Sequence, residues 1–148
     1  MSARVLANTT AVAIGRRALL LEGPPGAGKS SLALALIDRG ATLIGDDAVS
    51  LEARPGALLA APPPNTQGLI EVRNVGIVEM PVSTGTVALI LTLDPAAPRF
   101  PMDPSSRTIE GVSVPLLPFA PGDAIQALRA EHALAEHGLP LPKPPENA

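Results

Sequence analysis

The chain has no cysteine, tryptophan or tyrosine, and its 148 residues include only two phenylalanines and two histidines. Without cysteine, disulfides, thiol catalysis and cysteine-ligated zinc are excluded. Phe100 and Phe119 leave little for stacking on nucleic-acid bases. The core must therefore be built from Ala, Val, Leu and Ile, within a hydrophobic content of 46%. Positive charge is scarce as well. The formal net charge is −3, and no Lys/Arg cluster exists beyond Arg16-Arg17, so the chain carries no electrostatic footprint for nucleic acid or anionic lipid. No apolar run approaches the roughly 20 residues needed to span a bilayer. The N-terminus lacks the basic-then-apolar layout of a secretory signal, so a soluble cytoplasmic protein is expected.

Against this plain background one stretch carries chemistry. Gly23-Pro24-Pro25-Gly26-Ala27-Gly28-Lys29-Ser30 fits G-x-x-x-x-G-K-[ST]. Glycines let the backbone curl so that several N–H groups converge on phosphate oxygens, and the following helix adds its positive N-terminal dipole. Lys29 is placed to reach the β- and γ-phosphates of a nucleotide, and the Ser30 hydroxyl to ligate Mg²⁺, with Ser31 next on the helix. The flanks match the motif: Ala18 to Glu22 reads as a buried strand, and Ser30 to Asp38 as a helix closed by Gly40. That helix is apolar nearly all round and is expected to be buried.

The length suits a single α/β domain over residues 1–138, with a Pro-rich, poorly ordered tail over 139–148. After a short N-terminal lead, Thr10–Ile14 and Ala18–Glu22 read as a hairpin through Gly15-Arg16-Arg17. Strands are expected at 41–45, 48–52, 69–73, 76–80 and 108–114, and 86–93 reads as the central strand. Between them lie a Pro55-Gly56 turn, the breaker at 62–65 and a Pro-rich loop over 94–104. A last helix spans 124–136, with Asp123 as N-cap and Gly138 as its stop. Ile125, Leu128, His132 and Ala135 follow three- and four-residue steps, which puts His132 on or beside the packed face. Neither His132 nor His137 is expected to be catalytic or to bind metal.

Asp46 and Asp47 end a hydrophobic strand sixteen and seventeen residues after Ser30. An acid here suits a bound nucleotide: one carboxylate can hold Mg²⁺ while the other accepts a proton from an attacking hydroxyl. Further on, Leu69-Ile70-Glu71-Val72-Arg73-Asn74-Val75-Gly76-Ile77 resembles the signature of the HPr kinase/phosphorylase family. The hairpin leading to Gly23, and the run from Leu32 through Arg39-Gly40-Ala41 to Asp46-Asp47, are similar to that family too. The likeness covers about Thr9 to Ile77, and more weakly to about Pro118.

The resemblance implies a mixed, largely β phosphate-loop core like that shared by HPr kinases and phosphoenolpyruvate carboxykinases, and transfer of phosphate from ATP-Mg²⁺ to a serine of an HPr-type phosphocarrier. It assigns Gly23 to Ser30 to ATP and Asp46 to proton acceptance, or to proton donation in the reverse phosphorylase reaction. Asp47 becomes a supporting, metal-side carboxylate. Glu71 joins Ser30 at Mg²⁺, and Glu71, Arg73 and Asn74 belong to a substrate-positioning loop. Arg99 best matches the family's catalytic arginine, with Arg107 as the fallback. The family also implies a hexamer, and the chain is similar to the catalytic half alone, so a separate N-terminal domain is expected to be missing. Departures are equally specific: Asn8 stands where the family carries His, Ser31 replaces an acid, Asn74 replaces Gly, and Pro118–Gly122 lacks its usual basic residue. Asn tolerates positive φ, so the loop at Asn74 is expected to survive. Two other readings fit the same residues: a regulator that binds ATP without efficient transfer, and a small-molecule kinase or NTPase.

Overall fold

The computed structural model describes residues 3–101 and 103–142, so Lys143–Ala148 of the Pro-rich tail lie outside the described residues. Its centre is a hairpin, β2 (Thr9–Ile14) and β3 (Arg17–Glu22), turned tightly through Gly15-Arg16 with Gly15 at φ 62°. Almost every residue of both strands is buried, as strands covered on both faces require. On one side β2 pairs with β4 (Thr42–Gly45); on the other, β3 runs parallel to β9 (Gly85–Leu93), the longest strand. The far edge of β9 is shared between β6 (Ala57–Ala61), antiparallel, and β11 (Val112–Phe119), parallel. β5 (Ala48–Arg54) joins β6 through the expected Pro55-Gly56 turn, and β1 (Ala3–Ala7) pairs with β5 at the edge.

The order β1-β5-β6-β9-β3-β2-β4, with β10–β11 added beside β9, makes one nine-stranded mixed sheet. It is strongly coiled, because Ala11, Leu20 and Ile44 from one end pack in a single apolar cluster with Val49, Leu51 and Leu58 from the other. The opposite face is covered by α1 (Lys29–Asp38) and α2 (Gln126–His137), over a second cluster that includes Leu19, Leu21, Leu89 and Leu91. A bulge at Ala88 turns both Ala88 and Leu89 to the helix side, and the Ala88 carbonyl accepts a hydrogen bond from the Leu139 amide at 2.9 Å. Leu139, the first residue of the Pro-rich stretch, is thus tied to the central strand.

Several expectations change. The N-terminal lead forms β1. The run 108–114 spans two strands, β10 (Ser105–Ile109) and β11, because Glu110-Gly111, both at positive φ, make a tight turn inside it. The first helix is buried along only one side, through Lys29, Leu32, Ala33 and Leu36. Asp123 does not cap α2; Ile125 occupies that position, while the Asp123 carboxylate accepts from the Ile125 amide at 3.1 Å. Gly138 does end the helix, in extended conformation. The packed face of α2 is Ala127, Ala130 and Leu134, leaving Ile125, Leu128, His132 and Ala135 exposed. The reason is steric: alanines let α2 approach α1 closely, and a Leu/His face would hold the helices apart. Arg39, just after α1, clamps Glu131 of α2 through two Nε contacts of 3.0 Å. That hydrogen bonding pushes the guanidinium pKa above its ordinary value.

Gly45 closes β4 in a space without room for a side chain: a Cβ there would lie 2.2 Å from the Ala48 carbonyl oxygen and 3.0 Å from Pro63. Gly45→Ala is therefore expected to destabilise the fold by about 2 kcal/mol or more, read as a lowered midpoint in urea unfolding.

Candidate functional site

A corner of the sheet builds one wall of the site. β1 passes into β2 at Asn8, and β4 passes into β5 through Asp46-Asp47; Asn8 and Asp47 adopt φ of 59° and 64°. Two paired strands thus bend at the same level. The bend is stitched by the Asn8 amide donating to the Asp47 carbonyl at 2.9 Å, and by the Asp47 amide donating to Thr10 Oγ1 at 3.1 Å. Asn and Asp tolerate this backbone better than most residues. The corner leaves Asp46 half-buried and Asp47 exposed.

The opposite wall is the loop between β3 and α1. Its closure depends on Gly23 and Pro24: the Pro24 carbonyl accepts from the Ala27 amide at 3.0 Å, and the Gly23 carbonyl accepts from Lys29 Nζ. Gly26 and Gly28 both have positive φ, at 84° and 102°. Gly28 is the N-cap of α1, no side chain among the described residues caps the helix, and its first turn holds no acid. The leading amides of α1 are therefore unclaimed by side chains and favour an anion.

The third wall is a separate two-stranded ribbon, β7 (Leu69–Val72) and β8 (Gly76–Glu79). Ile70 and Val72 belong to the helix-side core, so the alternation of the strand turns Glu71 outward. Asn74 takes φ 68° in the ribbon's turn. It meets the backbone demand for which glycine would otherwise serve, as expected from its tolerance of positive φ.

The three walls enclose a cleft of about 360 Å³, lined by Pro25–Ser31, by Asn8, Thr10, Asp46 and Asp47, and by Glu71 and Arg73. Asp46 joins all three. Its Oδ1 accepts from Ser30 Oγ at 2.6 Å and Thr10 Oγ1 at 3.0 Å, and its Oδ2 accepts from the Glu71 amide at 3.1 Å. Among the described residues, no hydrogen bond or ion pair engages the Asp47 carboxylate. Ser31 lines the cleft beside Ser30, whereas Gly23 and Pro24 shape the loop without lining it.

Arg99 is not brought into this cleft. It lines a neighbouring cavity of about 500 Å³ between 97–101, the end of β11 and α2, with its guanidinium 5.5 Å from the Phe100 ring centre. The fallback, Arg107, is paired with Glu22, the residue before Gly23. Arg73 is the one arginine lining the cleft among the described residues. His132 and His137 line the neighbouring cavity. Sequence reading missed Thr10, whose signal was a pair of threonines opening an apolar strand; it is fully buried and bonds the Asp46 carboxylate and the Asp47 amide.

The donor set can be compared with what a metal needs. Ser30 Oγ and the Asp46 carboxylate are hard oxygen donors already in contact, with the Glu71 carboxylate in the same cleft. Among the described residues, no group of three or more His, Cys, Asp or Glu forms a cage. The hydroxyl and carboxylate oxygens present fit magnesium, which takes one or two carboxylates and completes its shell with phosphate oxygens and water.

The fold is a mixed, sheet-dominated α/β architecture whose cleft is built on the Gly23–Ser30 loop. The chain belongs to the family described as the HPr Serine kinase C-terminal domain, whose profile matches residues 1–92. It is 35% identical over 125 residues to the HPr kinase/phosphorylase of Clostridium tetani, covering 74% of this chain and 41% of that protein. It is 40% identical over 72 residues to the protein of the same name from Clostridium novyi, covering 49% and 24%. The chain thus spans well under half the length of these relatives. The Hpr(Ser) kinase/phosphatase structure from Coxiella burnetii superposes with a TM-score of 0.74 at 29% identity, covering 90% of this chain and 95% of that one. Among the described residues, no helix is long and apolar enough to cross a membrane.

Replacing the Thr10 hydroxyl tests the corner directly. Thr10→Val keeps the shape but leaves the Asp47 amide and Asp46 Oδ1 short of a partner. A loss of about 1–3 kcal/mol is expected in chemical denaturation.

Proposed function

We propose that this chain is an ATP- and magnesium-dependent serine kinase whose acceptor is an HPr-type phosphocarrier protein. The contact between Ser30 Oγ and Asp46 Oδ1 carries this reading, because it joins the phosphate loop to a carboxylate in an open cleft that also presents a second acid. Family membership supports the acceptor. Inorganic phosphate acting in reverse on the phosphorylated carrier is the corresponding phosphorylase reaction.

In this reading the amides of Gly26 to Ser30 receive the phosphate chain, and Lys29 leaves the Gly23 carbonyl for the β- and γ-phosphate oxygens. Ser30 and Asp46, with Glu71 opposite, would hold magnesium, which when bound offsets charge on the phosphate oxygens. Asp46 already accepts three hydrogen bonds and faces Ser30, so its part is to hold and orient. Asp47, exposed in the cleft and without a side-chain partner among the described residues, takes the proton from the acceptor hydroxyl. This reverses the order expected from the sequence, in which Asp46 was the base and Asp47 the support. Arg73 replaces Arg99 as the arginine that offsets charge on the transferred group. Catalysis then consists mainly of positioning and electrostatics.

The test is labelling of the carrier from the same organism with γ-labelled ATP and Mg²⁺, beside a carrier lacking its acceptor serine. Serine-dependent label is expected, falling by at least about 100-fold in Asp47→Asn while ATP binding persists. Asp46→Asn should instead weaken the magnesium dependence of nucleotide binding. Nucleotide binding without label would favour a nucleotide-sensing regulator, a reading supported by Asn8, which lines the cleft but cannot exchange a proton near neutral pH. ATP consumption that needs no carrier would favour a small-molecule kinase or NTPase.

A further inference from the structure

The loop that binds phosphate in the proposed reaction has a support that is remote in sequence. Residues 120–122 follow β11 and pass close to the phosphate loop: Pro121 Cβ and Cγ lie 3.8 and 3.9 Å from where a Cβ at Gly28 would stand. Gly28 is both the N-cap of α1 and a left-handed residue at φ 102°. Its position fixes where the first helical amides point.

Segment 119–122 makes no strand pairing after Phe119, yet it is braced at nearly every residue. The Phe119 carbonyl accepts from the Asp94 amide at 2.9 Å, and the Gly122 amide donates to Gln126 Oε1 at 2.8 Å. The central brace is Arg129 of α2. Its Nη1 donates to the Ala120 carbonyl at 2.9 Å and to Asp123 Oδ2 at 3.3 Å, while its guanidinium lies 4.5 Å from the Phe119 ring centre. One planar group therefore holds Ala120 just before Pro121, Asp123 two residues after it, and the aromatic at the end of β11. Arg39, just after α1, is clamped to Glu131 in the middle of α2. Helix α2 is thus tied to α1 by an ion pair at the α1 C-terminal turn, and through Arg129 it braces the segment that passes near the α1 N-terminus.

We propose that Arg129 is a positioning residue for nucleotide binding, acting through Ala120 and Pro121 on Gly28 rather than by touching the nucleotide. It keeps the phosphate loop in its receiving shape, so less ordering is required when the phosphates arrive. The proposal rests on the phosphate-loop reading above. It also gives α2 a role in binding that no side chain lining the cleft provides.

The test measures binding of ATP with Mg²⁺ to the full chain by calorimetry, for wild type, Lys29→Ala, Arg129→Met, Arg129→Lys and Pro121→Gly, each checked by thermal unfolding. We expect Arg129→Met to weaken binding about tenfold with its melting midpoint little changed. Arg129→Lys should recover most of the affinity, because an ammonium can still reach the Ala120 carbonyl and the Phe119 ring. Pro121→Gly should weaken binding similarly, and the double variant with Arg129→Met no further, since both changes cut one connection. In the labelling assay, Arg129→Met should raise the nucleotide KM while leaving the KM for the carrier unchanged. If Lys29→Ala abolishes binding while Arg129→Met and Pro121→Gly bind like wild type, the positioning role is overturned and the phosphate-loop reading stands. If Lys29→Ala binds like wild type, both fall. Should Arg129→Met fail to fold, Pro121→Gly decides alone, by the same criterion.

Discussion

The hydrogen bond between Ser30 and Asp46 is the contact on which the arrangement of the cleft depends. It joins two pieces of chain with different mechanical origins: the first turn of a helix, set by a glycine-rich loop, and the corner of a bent strand pair, set by two residues in left-handed conformation. Neither piece makes a site alone. The helix start alone offers only uncapped amides, and the corner alone offers only acids. A 2.6 Å contact registers one against the other, and the Glu71 amide adds the third wall to the same carboxylate.

The corner explains how a sheet can present acids at all. A continuous strand would turn alternate side chains into apolar clusters on both faces, as β2 and β3 do. Bending both strands at one level interrupts the alternation and releases Asp46 and Asp47 toward the cleft. The cost of left-handed backbone at Asn8 and Asp47 is met by local hydrogen bonds, with buried Thr10 serving both acids. Beneath it, a core with little aromatic content is packed from short aliphatic chains on both sides of the sheet, which suits two closely apposed helices over one face.

Much of this was legible in the sequence, for identifiable reasons. The loop from Gly23 to Ser30, the hairpin before it, the Pro55-Gly56 turn and the central strand were readable because each is governed by residues within a few positions. The positive φ of Asn74 followed from a backbone preference. What failed was long-range. The packed face of α2 was misassigned because Ile and Leu usually mark the core, whereas the approach of α1 favoured Ala127 and Ala130. Arg99 was misplaced because nothing local says where a Pro-rich loop will lie. Which carboxylate turns toward Ser30 and Thr10 was not readable either, because adjacent identical residues carry no sign of it.

The ammonium of Lys29 rests on the carbonyl of Gly23, within its own loop. A buried cation that already has a neutral acceptor is not a bare attractor for passing anions. A singly charged ion such as chloride gains little by drawing it away, whereas a polyphosphate supplies several charged oxygens and outcompetes a carbonyl readily. On the phosphate-loop reading proposed above, this one internal bond would make the loop favour highly charged ligands before any side chain outside it takes part.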